Sequence, residues 1–265
     1  MARCAGRSGW TTIIKNDVDV NKSTIIDNLS INKAKDLQNK YNLLNKEIDK
    51  NEIENLESVT INIEYFNKTK SNNEEEQLYN FSYTRHYYKE IDFKNSSYIQ
   101  SVSICRNIAN ALFFLHKYGI IHGNLTPSNI GINNKDNIII FDYGLYFRHY
   151  INGDSKRMNN TFINLSRIAP ESIKYEKSSY DEKTDIYSMG LIFLGLINGD
   201  EHPYKNMSIL DVYLSKKYGE IPVIKSDDNE LVTLTKKCLS ADPIERPTAE
   251  ECLEILNKML KPIEK

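Results

Sequence analysis

Proline does not occur before Pro127, and no glycine lies between Gly9 and Gly119, so the two halves of the chain differ in kind, with a boundary near residue 93. Cysteine is scarce. Cys4, Cys105, Cys238 and Cys252 form no C-x-x-C pair, which argues against a disulfide framework and for reduced cytosolic thiols. An excess of one charge sign is also missing. The 34 basic and 36 acidic residues leave a net charge of -2 and no electrostatic footprint for nucleic acid or an anionic membrane. No apolar run approaches the roughly 18 residues of a membrane span. The start, Met1 to Trp10, has no apolar secretory region, so a soluble, cytoplasmic protein is expected. Triplets such as Asn67-Lys68-Thr69 and Asn80-Phe81-Ser82 then read as chance products of an asparagine-rich chain, not as glycosylation sites.

At 265 residues, one two-lobed domain or two small domains can each bury an adequate core. In the first part, Leu37, Tyr41, Leu44 and Ile48 recur at three- and four-residue spacing, which predicts an amphipathic helix. Val59, Ile61, Ile63 and Tyr65 alternate as in a strand, and a second strand is expected from Leu78 to Tyr83. Between them Asn67 to Gln77, with Glu74, Glu75 and Glu76 together, reads as an exposed, solvated turn. In the second part, Ile104, Ile108, Ala111, Leu112 and Leu115 mark a helix that ends at Tyr118-Gly119, where glycine can supply a left-handed cap. Short strands at Ile130 to Ile132 and Ile138 to Phe141 flank a polar turn. Helices are expected at Ile186 to Ile197, around Leu231 to Leu239, and at Ala249 to Leu260.

The stretch His122-Gly123-Asn124-Leu125-Thr126-Pro127-Ser128-Asn129 is followed by Asp142-Tyr143-Gly144, then by Ala169-Pro170-Glu171, Asp185-Ile186-Tyr187-Ser188-Met189-Gly190, and finally Cys238 to Thr248. In this order the segments resemble the H-R-D-L-x-x-x-N, D-F-G, A-P-E, buried-helix and C-L-x-x-D-P-x-x-R-P-T landmarks of the protein-kinase superfamily, in its serine/threonine and tyrosine-kinase-like branch. The resemblance covers residues from about 104 to the end. It implies an α+β, two-lobed fold: a small β-rich N-lobe with one helix over 1–93 and a larger helical C-lobe over 94–265. It also implies that Glu171 pairs with Arg246 and that Asp185 accepts hydrogen bonds from the backbone near His122. His122 reads as a core histidine against Tyr143, not as a base or a metal ligand.

The N-lobe matches by spacing. Cys4-Ala5-Gly6-Arg7-Ser8-Gly9 resembles the glycine-rich phosphate loop with its first glycine replaced, so Gly6 and Gly9 are candidate nucleotide-binding positions and Cys4 an ordinary surface cysteine beside them. Only Met1 to Arg3 precede this loop, too few for a first strand, which suggests a truncated start. A hairpin after Gly9 brings Thr24-Ile25-Ile26-Asp27 into the V-A-I-K place, so Asp27 stands where the phosphate-pairing lysine belongs. Lys15 is the rival for that place, and Glu47 or Asp49 the acidic partner on the following helix.

Read through the resemblance, Asn124 replaces the aspartate that accepts the substrate proton, and an asparagine amide cannot take a proton at neutral pH. Thr126 replaces a phosphate-contacting lysine, and Gly131 the leucine under the adenine. Gly123 removes the arginine that would read a phosphate at Thr161 or Ser166 on the activation segment. Asn129 and Asp142 keep the spacing of two Mg²⁺ ligands, or survive as loop-stabilising hydrogen-bond acceptors. The expectation is a pseudokinase acting as an interaction or allosteric signalling module with protein partners, its ATP and Mg²⁺ binding weak or absent. The alternatives are an active atypical protein serine/threonine kinase and a small-molecule phosphotransferase.

Overall fold

The computed structural model describes the backbone of residues 13–14, 19–27, 31–49, 62–69, 75–86, 89–133, 137–141, 143, 162–174 and 181–261, and side chains at 36, 39–48, 89–133, 137–141, 143, 165–173 and 181–261. The first part forms an antiparallel sheet of β1 (Ile13–Ile14), β2 (Asp19–Asp27), β3 (Asn62–Thr69) and β4 (Glu75–His86) in the order β1-β2-β4-β3, with helix α1 (Ile31–Asp49) inserted between β2 and β3. β2 pairs along its whole length with β4, from Asp19↔His86 to Asp27↔Leu78.

The expected turn at Asn67 to Gln77 is corrected. Asn67 to Thr69 belong to β3 and Glu75 to Gln77 to β4, in a register that sets Lys68 opposite Glu76, and residues 70–74 lie outside the described residues. A strand's cross-partner decides here, because opposite charges facing across a ladder stabilise it whereas a run of glutamates alone reads as loop. Val59 and Ile61 also lie outside the described residues.

α1 buries Tyr41 and Leu44 and leaves Leu43 half-exposed, as its spacing requires. Helix α2 (Tyr98–Lys117) begins at a capping box in which the Gln100 N–H donates to Ser97 Oγ at 3.3 Å and the Ser97 N–H to Gln100 Oε1 at 2.8 Å. Its buried stripe of Val102, Cys105, Ile108, Ala109, Leu112 and Leu115 follows the helical period. Gly119, at φ +64°, turns the chain back so that its N–H and that of Ile120 satisfy the carbonyls of His116 and Leu115, each at 2.9 Å.

Strands β5 (Ile130–Ile132) and β6 (Ile138–Ile140) form a small antiparallel hairpin, and Lys89 bridges to Ile132 at its edge. The remaining helices are α3 (Phe162–Arg167), α4 (Pro170–Lys174), α5 (Glu182–Asn198), α6 (Ile209–Tyr218), α7 (Glu230–Cys238) and α8 (Ala249–Leu260). None of the described helices is long and apolar enough to cross a membrane.

α5 is the axis of the helical part, buried on most sides, and starts where Asp181 caps the Thr184 N–H at 3.1 Å. It approaches α7 closely at Gly190, where an added Cβ would sit 2.8 Å from Cys238 Cβ and 3.0 Å from Leu239 Cδ2. Around that contact Cys105, Cys238 and Cys252 are fully buried, with Cys238 and Cys252 Sγ 3.8 Å apart. The Cys252 contact and then burial push the Cys238 thiol pKa well up, and burial does the same for Cys105.

Arg246 ties the end of the chain to α4. Its guanidinium is fully buried and donates to Glu171 through Nη1 and Nη2, each at 2.7 Å, to the Lys183 carbonyl at 2.9 Å and to the Ser240 carbonyl at 2.8 Å, with the Tyr187 ring 5.0 Å away. The pairing that the resemblance implied is therefore present in two-pronged form, with two further N–H donors satisfied by carbonyls, and such pairing is the condition for a buried charge to be tolerated.

Two stability predictions follow from these contacts. Arg246→Ala leaves Glu171 facing the cavity of its lost partner and should cost about 3 to 5 kcal/mol in denaturant unfolding, with Glu171→Gln costing less. Gly190→Ala gains about 1 kcal/mol in helix propensity but overpacks against Cys238 and Leu239 by about 1 to 3 kcal/mol, so its melting temperature should fall where an exposed helical Gly→Ala would raise it.

Candidate functional site

The loop between α2 and β5 is shaped from outside itself. Asp185, on the first turn of α5 and 1% exposed, accepts from the backbone N–H of His122 at 2.7 Å and of Gly123 at 2.8 Å, and its Oδ2 lies 3.0 Å from His116 Nε2 at the end of α2. These are the hydrogen bonds that the resemblance implied. His116 is an addition that sequence reading missed, since a histidine in a helix's last turn carries no signal of a partner 69 positions away. Gly123 sits at φ +69°, in the left-handed region where any side chain is strained by about 1 kcal/mol, so its glycine suits the bend that Asp185 holds.

Within the loop, His122 is fully buried and accepts at Nδ1 from the Asn124 N–H at 3.3 Å. Its ring meets Tyr143 edge-on at 6.4 Å, as a core histidine does. Tyr143 in turn stacks on Tyr41 of α1 at 5.6 Å and 10°, and the Tyr41 hydroxyl donates to the Tyr143 carbonyl. The loop, the Tyr143 turn and the first-half helix are thus joined through three rings. Tyr41 was legible as a buried position of α1, but not as the ring that reaches Tyr143.

Asn129 ends a short 3₁₀ turn, Pro127–Asn129. Its side-chain amide donates from Nδ2 to the Asn124 carbonyl at 2.9 Å, and its backbone N–H donates to the Thr126 carbonyl at 2.9 Å. The loop-stabilising role expected of Asn129 as an acceptor is therefore filled as a donor, and among the described residues its Oδ1 takes no hydrogen bond. That orientation leaves an oxygen of the right kind for a hard cation. Thr126 is 8% exposed, with Oγ1 2.8 Å from Ser128 Oγ. Asn124 follows the Asp185-bound backbone directly, so the loop brings Asn124, Thr126 and Asn129 together on one short stretch.

The other candidates stand apart from that stretch or lie beyond what is described. Gly131 is buried in β5 opposite Ile139. Asp27 is the last residue of β2, opposite Leu78 and just before α1; its side chain lies outside the described residues. Glu47 is half-buried on α1, and Asp49 is its final residue. Gly6, Gly9, Cys4, Lys15, Thr161 and Asp142 lie outside the described residues, while Ser166 is buried on α3.

Comparison with known proteins agrees with this geometry. The protein kinase domain family matches residues 21–256. Serine/threonine-protein kinase STE20 of Candida glabrata is 34% identical over 156 residues, which cover 57% of this chain and 16% of that protein. A probable LIM domain-containing serine/threonine-protein kinase of Dictyostelium discoideum is 29% identical over 167 residues, covering 63% of this chain and 25% of that protein. A probable inactive serine/threonine-protein kinase of the same organism is 29% identical over 188 residues, 67% of this chain and 15% of that protein. The chain spans a quarter or less of the length of each of these relatives. With the family match running from β2 into α8 and the Asp185 and Arg246 contacts in place, the chain belongs to the protein kinase domain family and has its two-lobed α+β fold.

Proposed function

We propose that this kinase domain does not transfer phosphate and works in the cytoplasm as an interaction or allosteric signalling module with protein partners, with an N-lobe over 1–93 and a C-lobe over 94–265. The supporting observation is that Asn124 sits in a loop whose scaffold is complete. Asp185 holds the backbone on one side, Asn129 holds the Asn124 carbonyl on the other, and the residue so presented is an amide where a proton acceptor is needed. Loss of general-base help costs about 10² to 10⁴ in rate, or roughly 3 to 5 kcal/mol.

The neighbouring changes point the same way. Thr126 brings a hydroxyl where the family carries a lysine for phosphate. Asp27, in the V-A-I-K place, carries negative charge where positive charge belongs. With an effective dielectric of about 20, a unit charge about 4 Å from a phosphate charge contributes roughly 4 kcal/mol, of unfavourable sign for a carboxylate. Gly131 offers no side chain under a base, where a leucine contributes about 1.5 to 3 kcal/mol.

Asn129 and Asp142 are the residues that would hold Mg²⁺, which when bound neutralises phosphate charge. Asn129 Oδ1 fits that role, and Asp142 lies outside the described residues. ATP and Mg²⁺ binding on this reading is weak or lost, because a cation ligand remains while the groups for phosphate and adenine do not.

The purified chain should show no phosphoryl transfer to protein substrates, and Asn124→Asp alone should not produce it, because Asp27, Thr126 and Gly131 remain. The measurement is radiolabelled phosphate transfer beside a Mg–ATP thermal shift. A small or absent shift is expected. A shift abolished by Asn129→Ala would establish nucleotide binding at this site, and transfer that disappears with Asp142→Ala would overturn the reading.

A further inference from the structure

Two of the buried thiols face each other. Cys238 is the last residue of α7 and Cys252 lies in the first turn of α8; both are fully buried, with their Sγ atoms 3.8 Å apart. They stand 14 positions apart in the chain, so a bond between them would close a short loop.

The connection between the two cysteines is tied internally, and those ties set where the sulfurs sit. The Ser240 hydroxyl donates to Glu245 Oε2 at 2.7 Å, and Asp242 Oδ1 accepts the Ile244 N–H at 2.9 Å over a short 3₁₀ turn, Pro243–Glu245. Arg246 Nε reaches back to the Ser240 carbonyl at 2.8 Å. α8 then opens on a capping box immediately before Cys252, with the Thr248 N–H donating to Glu251 Oε2 at 2.7 Å and the Glu251 N–H to Thr248 Oγ1 at 3.2 Å. On the α7 side, the Cys238 Cβ is backed by Gly190 of α5. A disulfide needs about 2.05 Å between its sulfurs, so the remaining approach is under about 2 Å, within what rotation of two short side chains about their Cα–Cβ bonds supplies.

A bond here would also act on a contact that matters to the fold. The segment it encloses carries Arg246, whose guanidinium holds Glu171 of α4 and the Lys183 carbonyl at the start of α5. Joining Cys238 to Cys252 fastens that segment at both ends.

We propose that Cys238 and Cys252 are a reversible redox pair, which a low-molecular-weight disulfide of the glutathione class oxidises to an intramolecular disulfide that fastens α7 to α8 around Arg246. The thiolate of one cysteine attacks a sulfur of the glutathione disulfide, forming a mixed disulfide and releasing one glutathione thiolate. The thiolate of the other cysteine then attacks the protein sulfur of the mixed disulfide. The Cys238–Cys252 bond forms and the second glutathione leaves as its thiolate. The two protons given up by the cysteines go to the two glutathiones; the cysteine pair loses two electrons and the glutathione disulfide gains them. The oxidant reaches the pair when α7 and α8 part, and reduction needs the same parting, which the bond makes rarer. Free thiols are the resting state in a reducing compartment, and the disulfide is the transient one. None of this depends on whether the loop at Asn124 transfers phosphate.

The test uses the purified chain in a Cys4→Ser background, so that only the three buried thiols remain. It is incubated with excess glutathione disulfide, without denaturant, and followed by mass spectrometry of the intact chain and of a non-reduced digest, beside circular dichroism melting. The expected product is lighter by two hydrogens and carries a Cys238–Cys252 link. It should melt about 6 to 12 °C above the reduced chain, a rise that dithiothreitol reverses. Cys252→Ala should lose both the link and the rise, whereas Cys105→Ala should keep both. Should Cys252→Ala fold poorly, Cys238→Ala removes the pair from the other helix, and the digest of the unsubstituted pair identifies the link without any core variant. A pair that stays reduced, a product with glutathione adducts only, or a link through Cys105 overturns the proposal. So does a Cys238–Cys252 link that leaves the melting temperature unchanged or lower.

Discussion

Everything at the candidate site hangs on a carboxylate that has been taken out of water and given three donors. Asp185 is buried at the start of α5, and a bare carboxylate in that position would carry a penalty of several kcal/mol. Two backbone N–H groups and the His116 ring offset it, and hydrogen bonds to an ionised group are the strong ones. The consequence is geometric. α2, α5 and the 122–129 loop can meet in only one way, because any other arrangement leaves the charge unsatisfied. Arg246 imposes the same constraint at the far end, joining α4, the start of α5 and the turn before α8 through one guanidinium.

Because Asp185 grips the loop by its peptide groups and not by its side chains, the loop's shape is independent of the chemistry it carries. Gly123, Asn124 and Thr126 differ from the family's pattern without touching the bonds that hold them. Asn129 is the exception, since its side chain contributes to the shape by donating to the Asn124 carbonyl. A residue with a structural duty persists when a catalytic duty lapses, so the presence of Asn129 says less about metal binding than its identity suggests. His122 is similar: its place between the Asn124 N–H and Tyr143 is a packing role.

Much of this was legible from the chain alone, for identifiable reasons. The buried stripe of α2 and the alternation in β3 are periodic, and the pairing of Glu171 with Arg246 travels with motifs whose spacing is fixed. The contact of Tyr41 with Tyr143 was not legible, because it depends on how α1 lies against the second half and neither residue advertises its partner. Helix α6 left no signal either. Its apolar residues face both inward and outward, so no single period emerges, and the short α3 and α4 hold too few residues to show one. The turn before β4 was overdrawn because a run of glutamates looks like loop until a lysine is set across from it.

The three buried thiols have a consequence for how this protein would meet a chemical probe. Cys105, Cys238 and Cys252 come from α2, α7 and α8, the helices that close on one another to form the core. With the Cys105 and Cys238 thiol pKa values pushed well up, almost none of their reactive thiolate exists while the helices are closed. A thiol reagent would reach these sulfurs only during an opening event. Their labelling rate therefore measures how often the helical core comes apart, which makes these cysteines built-in clocks of local unfolding.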